Sequence, residues 1–137
     1  MEKKKNKLFI NGVDAYLENI DYKASGKEYI QAKISQKLDL IECNEELVTI
    51  RMTRSIQSED EFKLVVSCIG KFHLEKKSLK NFKNLEDMRQ YASERMGYLV
   101  DKIQMGAVLT QIIANITGTF GRTPTILPPI INENTIK

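Results

Sequence analysis

The sequence predicts an α+β fold: a four-stranded antiparallel sheet followed by a long helix, bent or broken near Gly106, packed on one face. Three observations predict it. Apolar residues alternate with a period of two through much of the first half. After residue 84 the spacing changes to threes and fours. The polar links between the later strands are about five residues or fewer, too short for the crossover that parallel pairing needs.

The first strand, residues 8–24, is the least regular. Gly12 marks a bulge, after which Tyr16, Ile20 and Tyr22 share one face and Ala15 and Leu17 the other. In residues 29–42 the even positions Ile30, Ala32, Ile34, Leu38 and Leu40 are apolar, with Gln36 the exception. Among the odd positions only Ile41 is apolar, so one face is buried and one wet. Asn44-Glu45-Glu46 reads as a turn. Over residues 47–56, Val48, Ile50, Met52 and Ile56 share a face while Thr49, Arg51 and Thr53 point away. Residues 57–61 form a polar loop. Residues 62–74 alternate again, with Phe62, Leu64, Val66, Cys68, Phe72 and Leu74 inward.

Residues 76–83 are basic and polar, a link. The helix then carries Leu85, Met88, Ala92, Met96, Leu99 and Ile103 on one stripe, with Asn84 and Asp87 spaced as an N-terminal cap. Val108, Leu109, Ile112, Ile113 and Ile116 continue it. Gly97 and Gly106 each weaken a helix interior by about 1 kcal/mol relative to Ala, which places the break near Gly106. The helix should stop at Gly118 and a loop cover residues 119–124. Residues 125–131 are short and apolar, with Pro128-Pro129 forbidding a central strand. Residues 1–7 and 132–137 are expected to fray. Residues 1–137 form one domain, because the apolar face of the sheet needs the helix as cover.

The chain has 137 residues, 42% hydrophobic and 28% charged, which excludes collagen-like and wholly disordered classes. Area scaling lets a chain of this mass bury about 68% of its surface, enough for a core without metal or disulfide staples. No apolar run reaches the roughly 18–20 residues of a membrane helix, so no membrane insertion is expected. Asn11, Asp14 and Glu18 interrupt anything resembling a signal-peptide core. Cys43 and Cys68 have neither C-x-x-C nor zinc spacing, and reduced thiols in a cytoplasmic protein are the simplest reading. The net charge is +3, with the excess at Lys3, Lys4, Lys5 and Lys7. A dedicated nucleic-acid binder shows a denser basic stripe, so a solvated tail is expected there and no nucleic-acid partner.

The residues offer little chemistry. His73 is the one histidine, on the wetter face of the last strand, and nothing nearby in sequence proposes a nucleophile or acid for it. One His and two scattered Cys argue against a metal. Cys68 is expected inward, a core filler. Cys43, near a turn, is the more exposable thiol, without an activating neighbour. Glu59-Asp60-Glu61 lacks the pattern of a calcium loop. Gly118-Thr119-Phe120-Gly121 lacks the spacing of a phosphate loop. No enzyme activity and no cofactor are expected.

Apolar surface remains. Met88, Met96 and Met105 accompany Tyr91, Tyr98, Leu99 and Val100 on the helix. Such a stripe is wider than one sheet face can cover, and methionines adapt to irregular partners. It is expected to meet another subunit or an extended client chain.

The order of these features, with certain residues, resembles the SecB-like family of bacterial export chaperones. Residues 15–24, from Ala15-Tyr16-Leu17 to Asp21-Tyr22-Lys23-Ala24, look like the family's opening strand. Ile69-Gly70-Lys71-Phe72 is similar to the Gly-hydrophobic-Phe that closes its last strand. Gly118-Thr119-Phe120, then Leu127-Pro128-Pro129-Ile130, resembles its Gly-x-Phe and Leu-x-Pro-Val. The matched order covers most of residues 8–131. The resemblance implies a homo-oligomer, a dimer or a tetramer built as a dimer of dimers. It would hold unfolded polypeptide clients in apolar grooves without ATP, in protein export or in protecting an antitoxin. Tyr16, Ile20 and Tyr22 would lie near subunit contacts, and Met96, Leu99, Val100 and Ile103 would help build the interface or groove. At positions where the family carries acids for the motor SecA, this chain has Asn19, Lys23 and Val65, which puts docking to SecA in doubt. The competing reading is an adaptor with one specific folded partner.

Overall fold

The structure, a computed structural model, describes residues 8–24, 33–57 and 62–117. The fraying ends, the start of the second strand at 29–32, the Glu59-Asp60-Glu61 cluster and the expectations for 118–131 lie outside the described residues.

The alternating runs form the strands β1 (Ile10–Ala24), β2 (Lys33–Cys43), β3 (Leu47–Gln57) and β4 (Phe62–Leu74). All pairings are antiparallel and the order is β1-β4-β3-β2, so β1 and β2 are the edges. The turn between β2 and β3 is closed by Asn44, whose Oδ1 accepts from the backbone N–H of Glu46 and Leu47 at 2.8 and 2.9 Å.

Three register shifts decide which way side chains point. The first lies between Ile10 and Gly12, at the bulge that Gly12 marks. The second lies between Leu40 and Glu42, and makes Ile41 the extra residue. Ile41, the apolar exception among the odd positions, is accordingly exposed. This slip also reverses the parity of the residues beyond it. Cys43, expected to be the more exposable thiol, pairs with Val48 and is buried in the core. The third shift lies between Leu17 and Asn19 and makes Glu18 the extra residue.

One face of the sheet carries the core: Val48, Ile50, Met52 and Ile56 of β3 and Leu64, Val66, Cys68, Phe72 and Leu74 of β4. The expected single helix is three: α1 (Leu85–Glu94), α2 (Met96–Lys102) and α3 (Met105–Thr117). Asn84 caps α1, its side chain accepting from Asp87 N at 2.9 Å. The chain leaves helical geometry at Arg95 (φ −111, ψ 11) and at Ile103 (φ −97, ψ 7), and Gln104 turns with φ 55. The break therefore falls ahead of Gly106, which lies buried in α3's first turn. The hydrophobic stripe requires it. Leu99 and Val100 face the core before the turn, and Met105, Leu109 and Ile113 after it. No straight helix keeps Ile103 and Met105 on one face.

The link before α1 holds a 3₁₀ turn, Lys76–Asn81. Its Ser78 is fully buried, and the side-chain Oγ accepts from Phe9 N at 2.8 Å.

Arg54 breaks the alternation of β3. It stands on the core face and is fully buried. Its Nε donates to Gln36 Oε1 at 2.9 Å, and its Nη1 to Gly106 O at 3.0 Å and Thr110 Oγ1 at 2.9 Å. The guanidinium thus ties β2, β3 and α3 together. Burial pushes its pKa down to about 10.

Candidate functional site

The helices rest mainly on β2, β3 and β4, and the large apolar side chains of β1 from Val13 to Tyr22 are exposed. β1 is 15 residues, about 50 Å of extended chain, and its outer edge pairs with no described strand. Directly opposed residues in an antiparallel pair share a face. Val13 opposes Phe72, Ala15 opposes Gly70, Leu17 opposes Cys68, Ile20 opposes Val66 and Tyr22 opposes Leu64. All five therefore stand on the helix side of the sheet and form a shelf there. Val13, Leu17, Ile20 and Tyr22 are 40–46% exposed. Leu17 and Ile20 come to the same face only because Glu18 is bulged out between them.

α3 packs on β4, the strand that pairs with β1. Arg54 holds the Gly106 and Thr110 flank of α3 toward β3 and β2. On α3, Val108 is exposed and Ile112 is half-buried against the core. Gly70, opposite Ala15, lets the α2–α3 turn sit close to the sheet. A Cβ there would stand 2.8 Å from Met105 Cε and 3.3 Å from Ile103 Cδ1.

The helix-free face of β1 is polar and paired. Arg51 donates to Glu18 through Nε at 2.7 Å and Nη2 at 2.8 Å. Asp14 meets His73 at 2.8 Å and Asp21 meets Lys63 at 3.1 Å. Lys71 Nζ lies 5.8 Å from the centre of the Tyr16 ring. The Arg51 hydrogen bonds hold the Glu18 carboxyl below the usual carboxylate range. His73 thus has an acid partner across the strands that sequence order conceals.

The seven residues expected at a client or subunit surface divide. Ile20 and Tyr22 lie on the shelf. Tyr16 is exposed, but on the opposite face, beside Ile69. The bulge at Glu18 separates it from the two residues with which alternation groups it, and joins them to Ala15 and Leu17 instead. Leu99 and Val100 are buried in the core, and Met96 and Ile103 are half-buried against it. Met96, Leu99 and Val100 belong to α2, which packs on β2 and β3, and Ile103 at its end lies over Gly70 of β4, opposite Ala15. Val13 and Leu17 are the shelf residues that alternation alone does not select.

Cys43 and Cys68 are free thiols, and burial pushes both pKa values up, so neither is an activated nucleophile. Among the described residues no group of three or more His, Cys, Asp or Glu is placed to hold a metal, and no helix is long and apolar enough to cross a membrane.

No protein-family model and no curated protein matches the chain. Among solved structures, a crystal structure of a protein of unknown function from Streptococcus agalactiae is similar, at 12% sequence identity and a TM-score of 0.32. The match covers 89% of this chain and 93% of that one.

Proposed function

We propose that the protein is an ATP-independent holdase of SecB-like kind, binding non-native polypeptide segments along β1. The carrying observation is the shelf of Val13, Leu17, Ile20 and Tyr22, on a strand whose outer edge pairs with no described strand. An extended client can add itself to such an edge through main-chain hydrogen bonds, which are indifferent to sequence, and rest its apolar side chains on the shelf. Each shelf side chain is already half-covered, so burying the rest yields about 1 kcal/mol apiece. Several must be engaged together to offset the ordering of the client. The resulting binding is weak, distributed and sequence-tolerant, as a holdase requires.

The same edge can pair with β1 of a second copy. We therefore read the working form as a homo-oligomer in the cytoplasm, with Cys43 and Cys68 reduced and buried. Protein export and protection of an antitoxin are both uses that such a holdase serves.

Light scattering of an unfolding model substrate tests the reading, together with native mass with and without that substrate. The wild type should be larger than a monomer, bind the unfolded chain and suppress its aggregation without ATP. The double variant Leu17→Asp, Ile20→Asp should keep its fold and lose both. A monomer that binds no unfolded chain, or a double variant as active as the wild type, overturns it.

A further inference from the structure

We infer that residues 13–17 of β1 form a segment that slides between two registers on β4, and that Asp14 and Glu18 select which side chains stand on the shelf. The pairing supplies the means. β1 has two bulges, between Ile10 and Gly12 and between Leu17 and Asn19, which leave Asn11 and Glu18 as extra residues. The segment lies between them, and the chain on either side is fastened without it. Phe9 N donates to the buried Ser78 Oγ at 2.8 Å, and Glu75 N donates to Phe9 O at 2.8 Å. Beyond the second bulge, Asn19 pairs with Ser67 and Ala24 with Phe62, and Asp21 meets Lys63 at 3.1 Å.

The second register moves the extra residue from Glu18 to the first bulge. A slide of one residue along β4 sets Val13 against His73, Tyr16 against Gly70, Leu17 against Ile69 and Glu18 against Cys68. Asn11 and Gly12 then both stand outside the ladder, and Gly12 is free to take the backbone that a two-residue bulge demands. A slide of one residue turns every side chain of the segment to the other face. Val13 and Leu17 leave the shelf, and Tyr16 joins Ile20 and Tyr22 on it. The position opposite Gly70 has room for the ring, because Ala15, which stands there in the first register, is exposed. Among the described residues β1 pairs with β4 alone, so the slide disturbs one ladder and no second one.

Three contacts on the helix-free face hold the first register. Arg51 donates to Glu18 at 2.7 and 2.8 Å, His73 Nε2 lies 2.8 Å from Asp14 Oδ2, and Lys71 Nζ lies 5.8 Å from the centre of the Tyr16 ring. The slide turns Glu18, Asp14 and Tyr16 to the other face and loses all three. It also sets the two carboxylates opposite the buried Phe72 and Cys68. Exposed pairs of this kind are individually weak, so the first register is held by a small margin, and Asp14 and Glu18 supply it. Which clients the shelf takes in each register rests on the holdase reading; the slide itself does not.

Proton NMR of the cross-strand contacts of Gly70 tests the proposal. In the wild type Gly70 should meet Ala15, with Tyr16 as its minor partner. The double variant Asp14→Asn, Glu18→Gln should raise the Gly70–Tyr16 population about tenfold, two weak exposed pairs acting together. Arg51→Gln with His73→Gln, which leaves β1 unaltered, should do the same. Asp21→Asn, in the half that stays fixed, should leave the register unmoved. In the wild type, hydrogen exchange should release the β4-facing amides of residues 13–17 together, ahead of those of residues 19–24. Gly70 meeting Ala15 alone in both double variants, the same shift in Asp21→Asn, or exchange of residues 13–17 no faster than that of 19–24 overturns the proposal. Titration of the same proteins with an unfolded chain bears on the holdase alone: a segment that slides in a protein that binds no client refutes the holdase and leaves the slide standing.

Discussion

Glu18 and Arg51 are 33 residues apart in sequence and meet through two hydrogen bonds of 2.7 and 2.8 Å, and Glu18 is the residue that β1 bulges out. The extra residue reverses the parity of β1, so apolar side chains on both sides of it reach the same face. The pair therefore secures, on the helix-free side, the slip that creates the shelf on the other.

Loss of this pair should be pH-dependent. The Arg51 hydrogen bonds lower the Glu18 pKa from its ordinary value of 4.5. A lowered acid pKa gives stabilisation that is complete above the unfolded-state value and is lost as pH falls through the folded-state value. Glu18→Gln should melt below the wild type near neutral pH, and the gap should close progressively below about pH 4.5. Melting curves monitored by circular dichroism check this; a gap that persists in acid would assign the loss to packing.

The shelf and the core should separate energetically. Leu17 and Ile20 are 46% and 40% exposed, and Leu99 is 4% exposed. Ile20→Ser should cost unfolding stability only about 1 kcal/mol yet weaken binding of an unfolded chain. Leu99→Ala should cost about 2–5 kcal/mol through the cavity it leaves. Urea unfolding beside a client-binding titration distinguishes them.

Space at Gly70 is limited by Met105, whose Cε would stand 2.8 Å from an added Cβ, and by Ile103 Cδ1 at 3.3 Å. The methionine end can swing aside, so Gly70→Ala should be mild. Gly70→Val adds two further methyl groups where the α2–α3 turn sits and should cost about 1–3 kcal/mol. Equal melting temperatures for the two variants would show that the turn is free to lift.

Arg54 should be a structural pin. Arg54→Ala removes the hydrogen bonds to Gln36, Gly106 and Thr110 and opens a cavity under α3, for an expected loss of about 2–5 kcal/mol. Arg54→Met keeps the volume and removes the desolvated charge, so it should lose less. Denaturant unfolding ranks the three proteins; an alanine variant as stable as the wild type would contradict the role.

Alternation and capping are legible in the residues. β4 begins and ends where its pattern does, Asn84 caps α1, and Gly12 marks a bulge. The further bulges at Glu18 and Ile41 carry no glycine to announce them. Each reverses every later side chain in its strand, which is why Tyr16 parts from Ile20 and Cys43 turns inward. The helix breaks at Arg95 and Gln104 each fall two residues before a glycine, Gly97 and Gly106, and fitting the apolar stripe onto the sheet sets their place.

The order of residues alone dictates the element types and the apolar face of the central strands, because side-chain period and capping act over a few residues. Three-dimensional packing set the strand order that leaves β1 at the edge, the burial of Arg54 and the meeting of Phe9 with Ser78. Those depend on which strands pair and where a single extra residue is accommodated, and pairing energy is summed over positions distant in the chain.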